Sequence, residues 1–301
     1  MTGSTADGLV VVDKPAGFTS HDVVAVLRGI ARTRRVGHAG TLDPMATGVL
    51  LVGLGRATRL LGHLALTDKE YRGTIRLGQT TVTDDAEGEV TAARGAAGVE
   101  PAAIAAGVAA LTGEIMQVPA KVSAVKIDGQ RSYRRVRAGE EVEIPARRVT
   151  VSTFTADRAV ERVLADGLTV TDVDITVVCS SGTYIRALAR DLGAALGTGG
   201  HLTALHRTRV GPYTLGAART VDELRAELVV LPLDEAAAAS FPRWDVTERE
   251  ARLLGNGARI ATPRLPAGPV AVFGPDDRLV ALVEADGDRA RSLAVFAPQG
   301  G

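Results

Sequence analysis

The sequence predicts an α/β (α+β) protein that ends in a small β appendix. Three observations carry that expectation. Strand-like apolar runs alternate with helical patterns from residue 9 to about residue 230. A hydrophobic content of 46% in a chain of 301 residues is ample for a buried core. Composition shifts near residue 240, and the short apolar runs that follow are separated by GPDD and DGD, which are hairpin signals.

Taken in order, LVVVD (9–13) reads as a buried strand and Lys14-Pro15-Ala16-Gly17 as a turn. Ser20 is placed to cap a helix that carries Val23, Val26, Leu27 and Ile30 on one face. VLLVGLG (49–55) reads as a second buried strand, ATRLLGHL as a helical turn or two, and YRGTIRL (71–77) as an alternating strand. Residues 80–100 are acidic, rich in Gly and Ala, and loop-like. Pro101 opens a helix with Ile104, Val108 and Leu111 inward. Residues 113–148 are basic and broken by turns, which suits an extended surface excursion. LTVTDVDITVVC (168–179) supplies strand, and TYIRALARDLGAAL (183–196) a helix ended by Gly197. Further helices are expected at 221–230 and around 247–254, then strands in VAVF, RLVALVEA and RSLAVF.

Composition excludes several classes. No apolar run approaches the roughly 18 residues that span a bilayer. MTGSTADG lacks the basic and apolar regions of a secretory signal, so residues 1–8 are expected to be a disordered lead-in. The single cysteine, Cys179, excludes an internal disulfide framework and fits a reducing cytoplasm. The formal net charge is zero, but residues 222–301 hold 13 acidic and 9 basic residues, leaving an excess of four basic residues before them. All cations other than Lys14, Lys69, Lys121 and Lys126 are arginines. That excess suits bidentate phosphate contacts and equally a genomic composition bias.

The chemistry centres on GHAGTLDPMATGVL (37–50). Asp43 precedes Pro44, so local physics makes it an N-cap for a short turn PMAT. A cap explains neither Gly37, His38 and Gly40 before it nor a buried strand after it. Glycine-rich backbone beside a polar side chain is where a ligand can approach closely, so a pre-positioned carboxylate nucleophile is the rival role. Gly53-Leu54-Gly55 lacks the third glycine of a dinucleotide fingerprint, and no phosphate-binding loop ending in Gly-Lys-Ser/Thr occurs. The spacing of the five histidines and the lone cysteine give no metal site. No cofactor is expected.

Five blocks, in order over about 9–213, resemble the TruB family of tRNA pseudouridine-55 synthases. VDKPAGFTSHDVV is similar to the family's N-terminal motif, GHAGTLDPMATGVL to its catalytic-aspartate loop, and KEYRGTIRLG to its tyrosine-bearing strand. VPAKVSAVKIDGQRSYRRVRAGEEVE matches its thumb segment, although Val122 stands where the family more often has an aromatic. CSSGTYIRALARDLGAALGTGGHLTALHRTRVGPY resembles its tyrosine–arginine motif. The tail resembles a short PUA-like domain.

The resemblance implies a pseudouridine-synthase catalytic domain with a mostly antiparallel sheet over 9–238, a thumb insertion at about 119–148, and an RNA-binding PUA-like β domain over 239–301. It implies that Asp43 is the nucleophile and that His38 fills the gap left by an extruded base, against a plain loop hydrogen bond. Tyr71 lies against the target uracil, or else is strand core. Tyr184 and Arg186 begin a helix, with Arg186 paired to Asp43 rather than solvated. Lys14 braces the catalytic loop, or is a surface turn lysine.

The implied substrate is the T-arm stem-loop of tRNA, bound by a monomer with no obligate protein partner and no membrane. The implied reaction breaks the N1–C1′ bond, turns the uracil and forms a C5–C1′ bond, which consumes no electrons, phosphate or water. Attack at C6, attack at C1′ and deprotonation of the sugar all remain open for Asp43. Base extrusion costs a few kcal/mol. Rival readings are a homologue guided by a small RNA, a tRNA-folding chaperone that acts with or without catalysis, and a carboxylate glycosidase, which lacks a clear acid partner for Asp43.

Overall fold

The computed structural model describes residues 7–120, 126–127, 130–131, 144–164 and 167–296. In chain order it forms β1 (Gly8–Lys14), α1 (Ser20–Ala31), β2 (Val36–Ala39), β3 (Thr47–Leu54), α2 (Leu61–Leu64), β4 (Lys69–Leu77), β5 (Gln79–Thr81), β6 (Val90–Ala93), α3 (Pro101–Ala110) and β7 (Gly113–Gln117). Then come β8 (Lys126–Ile127), β9 (Gln130–Arg131), β10 (Arg147–Val163), β11 (Thr169–Cys179), α4 (Ile185–Ala195), β12 (Gly200–Val210), β13 (Tyr213–Thr214), β14 (Arg219–Thr220), α5 (Val221–Ala226), β15 (Leu231–Pro232) and α6 (Leu233–Ser240). The chain closes with β16 (Arg243–Asp245), α7 (Glu248–Gly255), β17 (Val270–Phe273), β18 (Leu279–Asp286) and β19 (Arg289–Val295). Most of the expected thumb, with Lys121, Val122, Arg134 and Arg135, lies outside the described residues.

The chain divides into two compact units, Met1–Asp43 with Val49–Leu66 and Gly211–Gly301, and Pro44–Gly48 with Thr67–Val210. In the first, β1 neighbours β3, pairs in parallel with β14 and takes β15 antiparallel at its start. Its apolar run is buried throughout Leu9–Val12, as a strand covered on both faces requires. The strand begins at Gly8, and Asp7 already binds Arg56 at 2.5 Å, so residues 7 and 8 of the expected lead-in are ordered. β2 pairs antiparallel with β3, setting His38 opposite Val52. The C-terminal strands run β16-β17-β18-β19, and Val246, Leu254, Val270, Val272, Val280 and Val283 form their own apolar cluster.

In the second unit the strand order is β12-β4-β11-β10-β7, and every neighbouring pair is antiparallel. The mostly antiparallel sheet is therefore as expected. The first residues of β3 join it in parallel, Thr47 beside His206 and Gly48 beside Arg207. Gly48 has φ +97°, and a Cβ there would lie 2.2 Å from the Arg207 carbonyl oxygen. Gly48→Ala should therefore destabilise the protein by more than about 2 kcal/mol, from backbone strain and overlap together. Urea unfolding checks this, and an unchanged midpoint contradicts it.

The structure corrects several local expectations. Thr19, not Ser20, caps α1, in a reciprocal capping box with Asp22. Pro44 and Met45 form a bend that leads into β3, so Asp43 has no helix to cap. Residues 80–100 are not wholly loop, because β5 and β6 pair antiparallel. Leu111 is only half buried, whereas Ile104 and Val108 point inward. β10 and β12 are strands that the residue pattern does not announce. β10 buries only Val149, Val151 and Phe154 among charged and polar neighbours, and β12 carries arginines that read as surface.

Candidate functional site

The site residues of the first unit cluster around one loop. β2 delivers His38, Gly40 turns the chain with φ +70°, and Leu42 is buried just before the half-buried Asp43. The loop is fastened to the first turn of α1. The Leu42 amide donates to Ser20 Oγ at 2.9 Å, and Ser20 Oγ donates to the Leu42 carbonyl at 3.2 Å. Next to Ser20, the His21 ring meets the His38 ring edge-on, with centroids 5.3 Å apart. Lys14 is fully buried and donates to the carbonyls of Phe18 at 2.6 Å and Pro15 at 2.9 Å. It is therefore no solvated turn lysine. It fixes the turn that leads into the α1 cap.

The site residues of the second unit lie on β4, α4 and β12. Tyr71 is buried on β4 between Val177 of β11 and Arg207 of β12. The fully buried Arg207 places its guanidinium carbon 6.0 Å from the Tyr71 ring centroid, within cation–π reach. Tyr184 is the half-exposed residue at the start of α4. Its carbonyl accepts from Gln117 Nε2 at 3.1 Å and its amide donates to Gln117 Oε1 at 2.8 Å. Arg186 is buried, not solvated: its Nη1 donates to the Thr83 carbonyl at 2.8 Å and lies 3.4 Å from the Asp85 carboxylate. One helical turn on, Arg190 reaches Asp84 at 3.4 Å and the Val118 carbonyl at 2.8 Å. Two arginines of α4 thus hold the tip between β5 and β6. Burial raises the Asp84 carboxyl, and Arg190 opposes that rise.

Lys69 sits beside Cys179 and Val210 in the ladder. Burial, reinforced by the Arg207 charge, holds its ammonium down to about 8. Burial also pushes the Cys179 thiol up to about 11, which leaves it inert as a nucleophile at neutral pH. The lysine carries a pH signature. An unfolded lysine keeps its proton up to about 10.4, so above about 8 the unfolded state binds the extra proton and stability rises with pH. Wild type should gain stability relative to Lys69→Met between about pH 8 and pH 10, read by urea unfolding. A constant difference contradicts this.

Sequence reasoning named Asp43, His38, Tyr71, Tyr184, Arg186 and Lys14 but missed Asp85, Gln117 and Arg207, which are all buried. TDDAEG offers no spacing that singles out one carboxylate, and HRTR reads as a solvated basic run. Among the described residues no three His, Cys, Asp or Glu side chains gather as a metal site, and no helix is long and apolar enough to cross a membrane.

Residues 28–185 match the TruB family pseudouridylate synthase N-terminal domain, 186–238 a tRNA pseudouridylate synthase B C-terminal domain, and 241–297 the tRNA pseudouridine synthase II C-terminal domain. The chain is 69% identical over 294 residues to "tRNA pseudouridine synthase B" of Streptomyces griseus, covering 98% of both chains. It is 61% identical over 292 residues to the protein of the same name from Thermobifida fusca, covering 97% of this chain and 99% of that one. It resembles the solved structure of an H/ACA RNP bound to a substrate RNA containing 2′-deoxyuridine, with TM-score 0.70 and 25% identity, over 97% of this chain and 86% of that chain.

Proposed function

Because this chain belongs to the TruB family of pseudouridylate synthases, we propose that it isomerises uridine 55 in the T-arm of tRNA, with Asp43 as nucleophile. The carrying observation is the 69% identity, over nearly the whole chain, to a protein named tRNA pseudouridine synthase B, joined to a loop that sets Asp43 behind a fastened Leu42. A carboxylate carried on a fastened loop has less reorganisation to make before it attacks.

In this reading Tyr71 lies against the extruded uracil, supported from β12 by Arg207. Arg186 pairs with Asp43 and keeps it ionised. His38 occupies the space the base vacates, and Tyr184 helps to bind the substrate. The isomerisation needs no cofactor. The chain acts as a monomer in the cytoplasm, without a guide RNA, on the T-arm stem-loop. Residues 239–301 act as a PUA-like RNA-binding module, a role consistent with their separate apolar cluster. Arginine contacts to phosphates offset the cost of extruding the base. Binding and remodelling the T-arm also gives the protein a tRNA-folding activity that survives loss of catalysis.

A whole tRNA transcript tritiated at uridine C5 tests the assignment, because forming the C5–C1′ bond releases that tritium to water. One tritium per tRNA is expected, and none from a transcript carrying cytidine at position 55. Release that persists in the cytidine transcript contradicts the assigned position.

A further inference from the structure

The first turn of α1 does more than begin a helix. Thr19 takes the whole capping role: its Oγ1 accepts from the Asp22 amide at 3.1 Å, and its own amide donates to Asp22 Oδ2 at 2.8 Å. That frees the adjacent hydroxyl of Ser20, which is buried and points away from its own helix toward the loop 22 residues later.

A serine hydroxyl has one proton and two lone pairs. Here it donates to the carbonyl of Leu42 and accepts from the amide of the same residue. Both peptide groups that flank the Leu42 Cα are thereby tied to one atom, and the second of them leads directly into Asp43. The neighbouring residue holds the other end of the loop, through the His21–His38 ring contact. The turn itself is rigid, because Lys14, fully buried, grips the Phe18 carbonyl immediately before Thr19.

We infer that Ser20 is a positioning residue for the reaction: its hydroxyl fixes the backbone of Leu42 and so sets the direction in which the Asp43 carboxylate enters the site. The inference rests on Asp43 being the nucleophile. A purely structural Ser20 would satisfy a buried amide and nothing more, so its loss would lower stability and leave the chemical step alone. A positioning Ser20 would lower the chemical step itself, because small misplacement of a reacting group is costly.

Single-turnover tritium release at saturating enzyme, tRNA affinity by filter binding and thermal unfolding separate these cases for Ser20→Ala, Ser20→Cys and Ser20→Thr in the full-length protein. Ser20→Ala should slow the single-turnover rate by about 10- to 100-fold while the dissociation constant for tRNA stays within about threefold. Ser20→Thr restores a hydroxyl and should recover to within about threefold of wild type, and Ser20→Cys, with its weak donor, should fall between. If alanine prevents folding, the threonine–cysteine order alone decides. A wild-type rate in Ser20→Ala overturns the inference, as does a cysteine variant as fast as threonine. So does a loss of rate matched by an equal loss of affinity. Asp43→Asn, run alongside, keeps the two claims apart: turnover in that variant removes the nucleophile reading, whereas its inactivity beside a fully active Ser20→Ala removes only the role of Ser20.

Discussion

Asp43→Asn should yield a folded protein that binds tRNA and releases essentially no tritium from tRNA labelled at uridine C5, a loss on the order of a thousandfold or more. The substitution changes one oxygen to nitrogen, and an amide oxygen is neither charged nor a useful nucleophile. Folding should survive, because the backbone on the N-terminal side of residue 43 is held by Ser20 through Leu42. In the proposed reading arginine contacts to phosphates carry the affinity, so tRNA binding should survive. Residues 44 and 45 bend straight into β3, so no helix is left whose capping would explain an aspartate here. Turnover within tenfold of wild type would end the nucleophile assignment.

Arg186→Lys is expected to cost about 100-fold or more in turnover with no more than severalfold loss of tRNA affinity, measured by single-turnover tritium release and filter binding. The guanidinium spans the Thr83 carbonyl and the Asp85 carboxylate from inside the protein. Lysine keeps the charge but presents a point donor in place of a planar fork, so it cannot hold the same geometry. The companion Asp85→Asn takes one carboxylate away from a buried guanidinium. Breaking a buried pair in this way costs about 3–5 kcal/mol, so this variant should also lose stability in urea. Near-normal turnover in Arg186→Lys removes that arginine from the site.

What could be read from the sequence follows from how local each signal is. β1 and β3 are legible because continuous apolar runs have no other home, and α1, α3 and α4 because their apolar residues recur at helical spacing. Asp43 stood out as a candidate through its glycine-rich loop and then through a resemblance to known motifs, and Arg186 through that resemblance alone. Ser20 was misassigned because Thr19 and Ser20 are both good caps, and only the position of Leu42 decides which hydroxyl stays on the helix. Asp85, Gln117 and Arg207 escaped because each depends on a partner far along the chain: Arg186, Tyr184 and Tyr71. β10 escaped because an edge-proximal strand buries few of its 17 residues.

The most direct test of stand-alone modification is the purified chain, with no other protein or RNA, mixed with a transcribed T-arm stem-loop tritiated at uridine C5. Release of one tritium per stem-loop, with pseudouridine found at the position equivalent to 55 and nowhere else, is the expected result. A stem-loop left unmodified by an enzyme preparation that folds and binds it would contradict the central claim that this chain alone carries out the isomerisation.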